Sequence, residues 1–165
     1  MTVEGKRMTT EQVLEAIARE RRRLIAAVDA LGADATRAHV TEEWTAKDVL
    51  AHCVHWVGQI AFGLGAPLEP PAWVVGVEGR PTGEEWNKRV VDHHRALTLD
   101  QMKREFDRYV DHLVGRVSTL TDDEMNATDK IAWDPGHALW QQLGAETFTH
   151  WPEHSLQIER ARSVR

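Results

Sequence analysis

Apolar residues recur at three- and four-residue spacings in four long stretches of the chain, and that period is helical. In the first stretch Leu14, Ile17, Leu24, Val28 and Leu31 share a face. Thr9 is placed to cap this helix, with Gln12 reaching back in a capping box. Gly32 ends it, since a residue without Cβ takes positive φ freely. A polar loop is expected from Ala33 to Trp44. Thr45 and Asp48 repeat the capping signal, and Asp48 adds negative charge near the positive end of the second helix. That helix carries Val49, Leu50, Cys53, Trp56, Val57 and Ile60 towards Leu64. Thr98 and Gln101 open a third, with Met102, Phe106, Tyr109, Val110, Leu113, Val117 and Leu120 on one face. Thr121 and Glu124 cap a short turn. The last helix is expected to start at an Asp134 cap with Pro135 in first position, where a missing N–H costs nothing. It would run through Leu139, Leu143, Phe148, Trp151 and Ile158 to the region of Arg162, with Pro152 bending it or breaking its hydrogen bonding.

Between the second and third long helices the pattern dissolves into Pro67, Pro70, Pro71, Gly76, Gly79, Pro81 and Gly83. A helix of about 20 residues is ~30 Å long, and roughly 17 extended residues reach ~50 Å. The crossover can therefore return along the whole bundle and leave the helices it joins parallel. Trp73, Trp86 and the Val74–Val77 run are expected to cover the end of the bundle. A short helix is expected over Glu84 to Ala96. With no paired strands or hairpin turn in the pattern, the fold class is all-α: a four-helix bundle with a long crossover between its second and third helices. One domain is expected over 1–165, with residues 1–8 as a loose lead-in.

Composition narrows the function. The 165 residues carry 42% hydrophobic and 28% charged side chains, ordinary for a globular chain. A net charge of −6 excludes a broadly basic nucleic-acid-binding face. Arg21-Arg22-Arg23 is the only basic run and reads as solvated surface beside Glu15 and Glu20. No apolar stretch approaches membrane-spanning length, and no leader-like run follows Met1. The single cysteine, Cys53, has no internal disulfide partner and is read as a small core residue. A cytoplasmic setting is expected.

The chemistry concentrates in nine histidines. His150 and His154 stand four residues apart, one above the other on a helical face with Leu143, Thr147 and Gln157. Two imidazoles in that relation can share one metal ion if a third ligand arrives from elsewhere. On the second helix Thr45, Asp48, His52, Trp56 and Gln59 form a similar stripe, which makes His52 the candidate third ligand. Three imidazoles on one side of a metal leave positions open for water or substrate. His55, three residues on, is an alternative ligand or an orienting neighbour, as Gln59 is. Inward histidines are also common as satisfied core residues, and spacing alone leaves that reading standing. His93 and His94 are expected to be exposed, and His137 and His112 to be structural or surface residues. His150-Trp-Pro-Glu153-His154 spells an inverted zinc-protease motif, but only 11 residues follow His154 to supply its downstream ligand. Trp56, Tyr109 and Trp151 are candidate pocket walls.

Trp44-Thr-Ala-Lys-Asp-Val-Leu-Ala-His52 resembles the second-helix signature of the DinB/YfiT-like superfamily, and His150-Trp-Pro-Glu-His154-Ser-Leu-Gln-Ile158 resembles its C-terminal signature. The placing of Trp86-Asn87 and of the capped third helix is similar as well. The resemblance implies a bundle, often dimeric, that holds zinc or nickel on His52, His150 and His154. It implies a small-molecule substrate, with no nucleic-acid or membrane partner. Relatives such as mycothiol-dependent maleylpyruvate isomerase suggest a thiol-dependent transferase or isomerase using mycothiol, bacillithiol or glutathione. The related ClbS/DfsB-like branch suggests an alternative, a metal-free resistance hydrolase. A non-catalytic ligand-binding or stress-protection bundle is a third reading.

Overall fold

A computed structural model describes residues 5–164. The helices are α1 (Thr10–Leu31), α2 (Ala46–Gly63), α3 (Gly83–His94), α4 (Leu99–Val117), α5 (Asp122–Met125), α6 (Leu139–Glu146) and α7 (Trp151–Ser163). Among the described residues there is no strand, only an isolated antiparallel bridge between His39 and Thr45. The fold is the expected helical bundle. α2 packs chiefly on α4 and α1 on α7, while α3 and α6 lie against α2.

Local chemistry sets most of these boundaries. Thr9, Thr45, Thr82, Thr98 and Thr121 each cap a helix, and each capping box is closed by the residue three positions on. Each such cap is worth about 0.5–2 kcal/mol against alanine. The polar loop after α1 begins as a 3₁₀ turn over Gly32–Thr36. The lead-in is not loose throughout. Of it, residues 1–4 lie outside the described chain, and Met8 is pinned by Asn126, whose side chain accepts from the Met8 N–H and donates to its carbonyl.

The core joins all four long faces. Ile17, Leu24, Leu50, Phe106, Leu113, Leu143, Trp151 and Ile158 are fully buried. Trp151 meets Phe106 edge-on with ring centres 5.4 Å apart, a geometry worth about 0.5–1.5 kcal/mol beyond area burial. The arginine run is more than solvated surface. Arg21 bridges α1 to Asp107 and Asp111 of α4, and Arg23 grips Glu159 of α7 through two hydrogen bonds.

Two expectations about the last helix change. Asp134 caps no helix: its carboxylate accepts from His137 Nδ1, and Gly136 at φ 99° turns the chain away. The helix starts instead after Ala138, whose N–H is held by Gln141. The chain then breaks at Thr147 (φ −136°, ψ −98°) and restarts at Trp151. Pro152 therefore lies in the first turn of a new helix, where an N–H has no intrahelical acceptor to lose. The proline does not bend a continuous helix; it follows the break.

The crossover is anchored by Trp73. This ring is buried against His94 and Tyr109, and its backbone carbonyl accepts from Arg89.

Candidate metal centre

The break at Thr147 decides whether His150 and His154 can act together. Thr147 Oγ1 donates to the Leu143 carbonyl, and the Trp151 N–H reaches back to Thr147 O at 2.8 Å. His150 caps α7 with helical dihedrals (φ −90°, ψ −51°). It thus keeps the stacked relation to His154 that a regular helix would give, and the two rings lie 4.6 Å apart. α2 brings His52 to the same point. His52 Nε2 stands 3.1 Å from His150 Nε2, and His154 Nε2 stands 2.9 Å from it. One ligand atom from each of the three falls within 4.8 Å of the others.

The other ring nitrogens explain this convergence. His52 Nδ1–H donates to Asn87 Oδ1 at 2.8 Å. The same oxygen accepts from the Trp56 indole, which can only donate, so the acceptor end of the Asn87 amide faces His52. His154 Nδ1–H donates to Gln157 Oε1 at 2.9 Å. Both rings are thereby held as the tautomer with a free lone pair on Nε2. A carbonyl-type oxygen fixing the distal nitrogen is the usual support of a metal-binding histidine.

Burial, followed by the neighbouring imidazoles, pushes His52 down to about 3 and His150 to about 4. Burial also lowers His154. All three are neutral at pH 7, the state that a ligand needs. A proton between these nitrogens serves two of the three; a divalent cation serves them all. The fit to a metal is good on distance too. Metal–nitrogen bonds of about 2.0–2.1 Å at angles of about 90–110° set neighbouring nitrogens about 2.9–3.4 Å apart; the two separations from His150 lie in that range, and the His52–His154 pair lies within 4.8 Å. Trp44 packs on His52 at 4.9 Å between ring centres and shields the cluster.

Not every expected site residue joins this cluster. His55 hydrogen-bonds to no triad ring; its Nδ1 accepts from the Trp73 indole, and its ring stacks on Trp86. The orienting roles expected of His55 and Gln59 fall to Asn87 and Gln157. Gln59 instead lines a cavity with His55 and Trp56. Tyr109 and Trp151 are core, not pocket wall: Tyr109 lies under Trp73 and against Gly58, and Trp151 is fully enclosed. His94 corrects another expectation, since it is buried with Nδ1 donating to Val90 O, while His93 is exposed. Glu153 is exposed and distant in role from any base of a protease. Cys53 is wholly buried, and burial raises its thiol far above the usual range. Periodicity did not point to Asn87, because a hydrogen bond across 35 positions leaves none; only the placing of Trp86-Asn87 in the family resemblance touched it.

No helix among the described residues is long and apolar enough to cross a membrane. No curated protein matches the chain. Among solved structures, the one titled Sibling Lethal Factor Precursor - DfsB is similar over 96% of this chain and 98% of its own, with a TM-score of 0.74 and 13% identity. An identity that low speaks for the fold. The family model described as DinB superfamily matches residues 16–154, a span that includes all three converging histidines. The chain belongs to the DinB superfamily.

Proposed function

We propose that the protein is a divalent-metal-dependent enzyme, a thiol-dependent transferase or isomerase acting on small electrophiles. The observation that carries this reading is the convergence of three neutral imidazoles, two of them held by amide oxygens in the ligand tautomer. His52, His150 and His154 would hold the ion, zinc or nickel, which would acidify a bound thiol or water and so supply a nucleophile at neutral pH.

The remaining work falls to the protein. Asn87 and Gln157 keep the Nε2 lone pairs aimed inward. Trp44 excludes water from one side of His52, and Trp56 fixes Asn87 from the other. The protein's own thiol takes no part in this scheme, because Cys53 is sealed in the core and its ionisation is suppressed. A thiol nucleophile would therefore be a diffusible low-molecular-weight one such as mycothiol, bacillithiol or glutathione.

A cobalt-substituted sample tests this. Adding the matching thiol would bring in the intense near-ultraviolet band of a thiolate on cobalt, followed by consumption of a small electrophile. Silence with all three thiols, in protein that does bind cobalt, would favour a hydrolase or a ligand-sequestering bundle. The ligand-sequestering alternative draws on the aromatic cavity beside α2, whereas a hydrolase would use the same histidine cluster to activate water.

A further inference from the structure

The cavity lined by His55, Trp56 and Gln59, of about 330 Å³, lies between α2, α3, α6 and the connection that precedes α6. Its wall contains two side chains, both nine-tenths buried, each with one polar atom that has no partner among the described residues. His55 is 2% exposed and Gln142 5%. His55 Nδ1 accepts from the Trp73 indole, so the ring proton sits on Nε2, and that N–H donates to nothing. The Gln142 amide nitrogen donates to the Asp134 carbonyl, which leaves Oε1 as an unused acceptor. A buried polar atom left unpaired costs about 1–3 kcal/mol, and the Gln142 acceptor is one that a donor-bearing occupant of the cavity would satisfy.

Its charge says which kind. Glu146 lines the same cavity with no cation paired to its carboxyl group among the described residues, and burial lifts that group to about 7. Asp134 is the other ionisable acid in the wall; no lysine or arginine lines it. Three tryptophans, Trp56, Trp86 and Trp133, supply aromatic surface. Trp133 is 60% exposed yet held, because α2 offers Gly63 beneath its ring and a Cβ there would collide with it. Aromatic surface with a carboxylate and no competing cation favours positive charge.

We propose that this cavity binds a small organic cation, an amidine, guanidine or amine on a flat apolar body, with Glu146 as its counter-ion and Gln142 Oε1 as its hydrogen-bond acceptor. The site needs no metal, so it stands apart from the function proposed above.

Benzamidine, with neutral benzamide and anionic benzoate as near-isosteres, tests it on the full chain. Calorimetry and the tryptophan indole signals in nuclear magnetic resonance spectra provide the readout. Benzamidine should bind saturably and shift the signals of Trp56, Trp86 and Trp133, each identified by a Trp→Phe variant. Benzamide should bind at least about tenfold more weakly, the worth of one hydrogen bond to a charged group, and benzoate not at all. Glu146→Gln should weaken benzamidine by about tenfold and leave benzamide unchanged, and Trp133→Ala, at an exposed position, should weaken it by a few-fold. His150→Ala should leave benzamidine binding intact, so failure of the metal reading and failure of this one are separable. Equal binding of benzamide or benzoate, no response to Glu146→Gln, or no benzamidine binding up to about 10 mM would overturn the proposal.

Discussion

His94 and His154 are both nearly inaccessible to solvent, at 2% and 7% exposure, yet their ring nitrogens are used in opposite ways. His94 donates from Nδ1 to the carbonyl one turn back, at Val90, and lays its ring against Trp73. It is a wedge between the crossover and the bundle. His154 donates from Nδ1 to Gln157 and turns Nε2 towards the nitrogens of His150 and His52. Burial lowers the basicity of both, so neither burial nor a shifted pKa separates a structural histidine from a candidate ligand. The destination of the second nitrogen does.

The largest expected break of this comparison is in metal-dependent stability. A divalent ion at about a thousand times its dissociation constant should stabilise the wild-type chain by about 4 kcal/mol. Thermal melts with and without a chelator should show that increment in His94→Ala and lose it in His150→Ala. Next, His94→Ala itself should cost about 2–3 kcal/mol in denaturant unfolding, as a large buried side chain packed on Trp73 is removed. Its metal content should stay unchanged. Asn87→Ala should weaken metal binding about 10–100-fold in competition with a chromophoric chelator, while His55→Ala should leave affinity close to wild type.

The smallest effect is one of pH, and its sign differs between the buried histidines and Glu146. In the metal-free protein His52, His150 and His55 are held at about 3, 4 and 4, below the ordinary 6.5. The unfolded chain takes up their protons first, so this contribution is present above pH 6.5 and is lost as pH falls towards 4. Glu146 runs the other way. Its carboxyl is raised from 4.5 to about 7, so its contribution is present at low pH and is lost as pH rises through 7. Glu146→Gln should gain about 1–2 kcal/mol relative to wild type between pH 5 and pH 8 in denaturant melts.

Helix starts were legible because capping is local: Thr9 with Gln12 and Thr98 with Gln101 satisfy each other within one turn. The start of α6 was not. Asp134-Pro135 carries the same local signal, but Gly136 in a left-handed conformation overrides it. His52 could be picked out because it shares a helical stripe with Thr45 and Asp48, and the i, i+4 pair survived because the break at Thr147 falls before both histidines. Tyr109 and Trp151 were ambiguous for a physical reason. An aromatic residue on an inward stripe packs equally well as core or as pocket wall, and here neighbouring Trp73 and Phe106 close over them. Asn87 and the Glu146 cavity come from elements far apart in the chain, which no periodicity joins.

Elemental analysis of purified protein after reconstitution with zinc or nickel tests the central claim most directly. The geometry predicts close to one metal per chain in the wild type and in His94→Ala, and its loss in both His52→Ala and His150→Ala. A wild-type chain that takes up no metal, or a folded His52→Ala that keeps its full complement, would contradict it.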